Sequence, residues 1–204
     1  MTDTRFATLM LALAAMLISV TVRGQEGLAE YRTYWEAKDA SFRNPDTSPL
    51  EPGDLAAFDS VPRFPFNSAY RVVAQWEPMA GVKPQSIETT TEAKRRMQKA
   101  GQLVFELEGK SLSLPVYRDL TMARMQAEEP GYFLPFTDLT NGEKTYGGGR
   151  YLDMEGLGLD PAEVVLDFNL SYNPYCVYSP KFSCPIPPLE NHLPVRIVAG
   201  AAMK

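Results

Sequence analysis

The chain carries one histidine and two cysteines in 204 residues. That scarcity excludes His-rich and Cys-rich metal centres, because zinc prefers four N or S ligands and only His192 could supplement Cys176 and Cys184. Carboxylates would have to fill the gap, and no metal is expected. Neither a Gly-x-Ser-x-Gly elbow nor a His-Glu-x-x-His pair occurs, so the nucleophile and zinc-protease patterns are absent. His192, beside proline-rich sequence, reads as a surface or capping residue. Cations are also short. A net charge of -5 argues against nucleic acid, which calls for a basic face against phosphates. The dense basic run, Lys94-Arg95-Arg96 with Lys99, reads as a solvated helical turn or loop face. Apolar content is ordinary at 45%, and a chain of this length can bury roughly two-thirds of its unfolded surface as one domain.

The amino terminus has the pattern of a targeting segment. Arg5 precedes an uncharged, mostly apolar stretch from Phe6 to Val22, and Val22-Arg23-Gly24 offers a cleavage site before Gln25. Residues 1–24 are therefore expected to be a signal peptide and residues 25–204 one domain. Cleavage would remove Asp3, Arg5 and Arg23, a net +1, and take the charge from -5 to -6. The apolar stretch lies at the short end of a membrane span, and Arg23 keeps an uncleaved anchor open as the one route to a membrane. Either form places the domain outside the cytoplasm, periplasmic or secreted. In that oxidising setting Cys176 and Cys184 are expected to form a disulfide, which stabilises by about 2–3 kcal/mol in the chain-entropy model. Two free buried thiols are the alternative. The pair is spaced too widely for Cys-x-x-Cys redox chemistry.

Leu28, Tyr31, Trp35 and Phe42 fall at helical spacings, predicting an amphipathic helix over about 27–43 that stops before Pro45. Ser48-Pro49-Leu50-Glu51 reads as a capping box opening a short helical turn. From Tyr70 the period becomes two, and Leu103 to Leu107, a Glu108-Gly109-Lys110 turn and Leu112 to Val116 read as a hairpin. Further strands are expected at 86–91, 132–136, 150–154, 164–168 and 193–198. Short strands with little helix between them predict a mainly β, single-domain antiparallel barrel or sandwich with the N-terminal helix on an end or face.

Two polar, aperiodic segments are the candidate sites. Thr137 to Arg150 contains Asp138, Tyr146 and Gly147-Gly148-Gly149, which suits a long hairpin connection or an anion nest with Arg150 as counter-charge. Glycines stand where a phosphate loop needs Lys and Ser or Thr, which rejects a nucleotide site. The second segment runs from Asp167 and Asn169 through Tyr172-Asn173 to Glu190-Asn191, whose side chains could satisfy loop amides locally or line a binding site at one mouth of the β structure. If such a mouth exists, Arg150 should meet Asp167, Asn169, Tyr172 or Glu190, and Arg150→Ala should abolish binding with stability nearly intact.

Phe133-Leu134-Pro135-Phe136-Thr137-Asp138, Tyr146-Gly147-Gly148-Gly149-Arg150-Tyr151-Leu152-Asp153 and the run from Asp167 to Asn191 resemble the bacterial and archaeal family catalogued as domain of unknown function 1684, over about Tyr31 to Gly200. The resemblance implies kinship and brings no activity with it. The leading expectation is an exported module binding a small molecule or envelope component, without cofactor. The alternatives are a hydrolase using Asp138, Asp167 or Glu190 with Tyr and Arg, and a disulfide-clamped interaction or redox partner.

Overall fold

Along Arg71–Pro78, Ala74 and Trp76 are buried while Val73, Gln75 and Glu77 are exposed, the alternation of a strand with one face on a core. This is β1 of a computed structural model that describes residues 24–121, 131–155, 157–158 and 160–203. Almost all of the expected signal peptide, residues 1–23, lies outside the described residues. The other strands are β2 (Gln85–Glu88), β3 (Lys94–Leu107), β4 (Lys110–Asp119), β5 (Tyr132–Asp138), β6 (Arg150–Met154), β7 (Ala162–Asp167) and β8 (His192–Leu193). They form one curled sheet in the order β6-β5-β4-β3-β1-β7, with β2 on β3 and β8 on β5. Pairing is antiparallel except between β5 and β8. The architecture is thus a half-barrel, and of the two forms expected the sandwich falls away.

The long β3–β4 hairpin sets the curl. Its two-residue turn, Glu108-Gly109, has positive φ at both positions, 53° and 71°, the left-handed geometry that matches strand twist. At the Lys99/Gly101 irregularity the strand bends, as bulges do. A Cβ on Gly101 would sit 2.4 Å from both the Glu77 carbonyl oxygen and the Trp76 ring, so only glycine fits. The basic run corrects the sequence reading, since Lys94, Arg95, Arg96 and Lys99 all lie on β3. Met97 between them is fully buried, while Arg95 pairs with Asp119 at 2.9 Å and Lys99 with Glu190 at 2.6 Å. Long basic stems can flank a buried position and still carry their charge to water or a partner.

Helix α1 covers residues 24–43 and packs Trp35 and Phe42 against Val61, Ala201 and a ring of tyrosines. The Trp35 indole donates to the Asn169 carbonyl at 3.0 Å, riveting α1 to the chain beyond β7. The next helix, α2 (Pro52–Leu55), starts without the expected capping box. Its N-cap is Glu51, which makes no side-chain cap bond; Ser48 Oγ accepts instead from the Leu50 amide at 3.2 Å. Beyond β7, Tyr172 exchanges two backbone bonds of 2.9 Å with Tyr151 of β6, tying together the chain ends of the curled sheet. The strand expected at 193–198 shrinks to His192–Leu193. Burial still alternates through Val195, Ile197 and Ala199, but this segment runs through the core with its carbonyls served by a side chain. Among the described residues no helix is long and apolar enough to cross a membrane.

Candidate functional site

Arg150 opens β6 and is completely buried. Its guanidinium donates to the carbonyls of Ile197 (2.9 Å), Ala199 and Ala201 (3.2 Å), and pairs with Asp138 at 2.8 Å, both side chains fully enclosed. Burial lowers the Arg150 pKa and Asp138 opposes that. The other Asp138 oxygen accepts from the Thr140 amide and hydroxyl and from the Ile197 amide. Arg150 thus bonds to none of Asp167, Asn169, Tyr172 and Glu190. The expected common mouth is corrected on this point, because the guanidinium is fully enclosed, with both terminal nitrogens committed to core carbonyls and Asp138 and only the buried Nε unpaired. The anion nest loses its counter-charge with it, and the Gly149 amide is donated to the Tyr146 carbonyl at 3.1 Å, while Gly147 and Gly148 are exposed turn residues. Gly149 has φ +90°, and a Cβ there would lie 2.5 Å from the Phe136 carbonyl. Gly149→Ala is expected to lower stability by more than about 1 kcal/mol, read from urea midpoints at unchanged slope.

The remaining candidates fall into separate networks. Asn169 binds the Asn67 backbone through both side-chain atoms at 2.9 Å and reaches Asp167 at 2.7 Å. Asp167, with its carboxyl pushed up by burial, lies 3.8 Å from Arg71. Asn191 is fully buried between β4 and β5, where its amide donates to the carbonyls of Pro115 (2.8 Å) and Pro135 (2.7 Å). Two prolines cannot pair across a ladder, and Asn191 spans the gap they leave. Glu190 accepts from Tyr117 (2.7 Å) and Lys99. Burial raises its pKa, but those two donors outweigh it and hold the carboxyl below its usual range. His192 is exposed, as expected, with Thr137 at 3.0 Å.

Tyr172 and Asn173 lead elsewhere. With Trp35, Lys38, Phe42, Tyr175 and Tyr178 they line a narrow recess, too tight for a water molecule in this conformation. Tyr178 and Tyr175 meet Phe42 edge-on, with ring centroids 4.9 and 6.1 Å away. Lys38 Nζ sits 4.1 Å from the Tyr172 ring centre and 5.3 Å from that of Tyr34, within cation–π range. The Tyr172 hydroxyl donates to both Asp153 oxygens at 2.9 Å. Burial lowers the Lys38 pKa, with Asp153 opposing it, and raises that of Asp153 against the pull of Tyr172 and Lys38. Asn173 Oδ1 is buried with no hydrogen-bond partner. Both cysteines are free thiols beside this wall. The Cys176 amide donates to Cys184 Sγ at 3.2 Å, burial together with the neighbouring Cys176 and Cys184 raises the Tyr146 pKa, and burial pushes the Cys184 thiol up to about 12. Among the described residues no group of three or more His, Cys, Asp or Glu is placed to hold a metal.

A family model described as "Protein of unknown function (DUF1684)" matches residues 56–202. The chain belongs to that family. A DUF1684 architecture also fits a solved structure that resembles it, the solution NMR structure of an uncharacterized protein of Haloarcula marismortui, 31% identical, with a TM-score of 0.69 over 88% of this chain and 95% of that one. Comparison with curated proteins found no match. The family match includes Asp153, Tyr172, Asn173, Tyr175 and Tyr178 and leaves out α1 with Lys38. Sequence reasoning passed over Lys38, Asp153, Tyr175 and Tyr178 as site residues. The available signal was Tyr34 and Lys38 one helical turn apart, on a helix whose apolar face is aromatic.

Proposed function

We propose that this DUF1684 protein is an exported small-ligand-binding module whose ligand enters the aromatic recess between α1 and residues 172–178. The observation that carries this reading is Asn173 Oδ1, an enclosed acceptor without a donor at the aromatic wall, with the Tyr178 ring beside it. Such groups are rare in native proteins and call for a partner. Aromatic walls with a few polar groups are also the usual composition of small-molecule sites. The ligand that fits is a small molecule with a hydrogen-bond donor on an apolar body, whether free or part of an envelope component. Export rests on the Phe6 to Val22 segment and its Gly24–Gln25 junction, and in that compartment Cys176 and Cys184 pass between free thiols and a disulfide, the ligand being taken by the thiol form. The hydrolase alternative has less support, because Asp138, Asp167 and Glu190 are held in three separate networks.

Phenol is the minimal probe, joining one hydroxyl donor to one ring. Saturation-transfer NMR on the reduced protein is expected to show phenol bound, and Asn173→Leu, which keeps the volume and removes the acceptor, to weaken it about tenfold. Equal affinity in the two proteins, or no transfer at all, would remove the recess as the binding site.

A further inference from the structure

We propose that Cys176 and Cys184 are a thiol-oxidation site whose disulfide locks the wall of the recess; the predicted effect on binding rests on the ligand reading above, while the lock itself does not. The two cysteines end a short loop whose limbs are anchored very differently. The near limb is a single 3₁₀ turn, Tyr175–Val177, and it carries Tyr175 and, one residue on, Tyr178 against Phe42. The far limb is fastened to the region around β2. There Cys184 accepts from the Thr90 amide at 2.9 Å and donates to the Thr90 hydroxyl at 3.1 Å, and Ile186 donates to Glu88 at 2.8 Å. Arg95 holds the Ser183 carbonyl at 3.0 Å. The near limb has only local turns and side-chain contacts, which leaves it as the part able to move. A sulfur–sulfur bond would fasten that aromatic wall covalently to the sheet.

The geometry suits the bond. Cys184 Sγ already lies at hydrogen-bond distance from the Cys176 amide, so the two sulfurs can meet by side-chain rotation, within the reach a disulfide demands. Cys176 is the more accessible thiol and Cys184 the buried one, which sets the order of events. The oxidant is a protein or small molecule bearing a disulfide. The Cys176 thiolate attacks one sulfur of it, and a mixed disulfide forms as the first thiol of the oxidant leaves. The Cys184 thiolate then attacks Cys176 Sγ and expels the second. One disulfide forms in the chain and one breaks in the oxidant, which takes up two electrons and the two thiol protons. The product holds the narrow recess closed, and reduction by a dithiol frees Tyr175 and Tyr178 to admit a ligand.

The test uses the unmodified full chain equilibrated with oxidised or with reduced glutathione. Oxidation is expected to leave no thiol open to alkylation, to slow amide exchange from Tyr175 to Ser179 about tenfold, and to weaken phenol binding about tenfold. Two alkylated cysteines after oxidised glutathione, or a disulfide that leaves those amides exchanging at the same rate, would overturn the lock. Slowed exchange with no phenol bound in either state would uphold the lock and remove the ligand reading instead.

Discussion

Arg150→Met is expected to destabilise the fold by about 3–5 kcal/mol, the usual consequence of stripping one partner from a buried ion pair. Methionine fills much of the volume, so the loss is electrostatic and hydrogen-bonding in origin. Asp138 would keep a charge with no cation beside it, and three core carbonyls would lose their donor. Each orphaned group carries a desolvation cost of about 1–3 kcal/mol, and relaxation of residues 197–201 offsets part of the sum. Urea unfolding followed by Trp fluorescence measures the change. Because Asp138 is the group left stranded, Asp138→Asn in the Arg150→Met background should recover part of the loss. A stable Arg150→Met protein that had lost only phenol binding would restore Arg150 to a site role.

Asn191→Ala should cost about 2–4 kcal/mol from two abandoned carbonyls and a cavity. Pro115 on β4 and Pro135 on β5 face a seam where the ladder, formed at Tyr117↔Phe133 and Arg118↔Tyr132, has ended. The Asn191 amide is the donor that both carbonyls share. Local opening of that seam would expose the lower parts of β4 and β5 first, so amide exchange around Leu114 to Val116 and Leu134 to Phe136 should accelerate more than elsewhere. Asn191→Asp is the sharper control: the shape is nearly kept, while the donor becomes an acceptor facing two acceptors, and the loss should be at least as large.

The strands were legible where one face is buried and the other wet. β1 and the β3–β4 hairpin were visible because Ala74, Trp76, Leu103, Phe105 and Leu107 are buried between neighbours that stay exposed or half-exposed. The extent of β3 was hidden by its own charges, since Lys94 to Lys99 carries a basic run across a single buried methionine. The paired part of 193–198 was overestimated for a related reason: alternation reports burial on one side and is silent about what satisfies the backbone. For the same reason the polar loops were found but their meaning was misjudged. Arg150, Asn169 and Asn191 look alike in sequence to ligand groups, yet each spends its hydrogen bonds on backbone brought from 47 to 102 residues away. The recess was out of reach because it joins α1 to residues 172–178, a pairing that no local pattern encodes.

The guanidinium clamp on residues 197–201 has a consequence for how the molecule is made. Val195, Ile197, Ala199 and Ala201 are interior residues, and their docking partner, Arg150, is synthesised long before them. Until these residues dock, the centre of the curled sheet is unfilled and Arg150 lacks the carbonyls of Ile197, Ala199 and Ala201. Domains generally fold as units during synthesis, and this one cannot become a unit until its final core segment emerges. Closure of the core thus waits on residues 197–201 reaching Arg150.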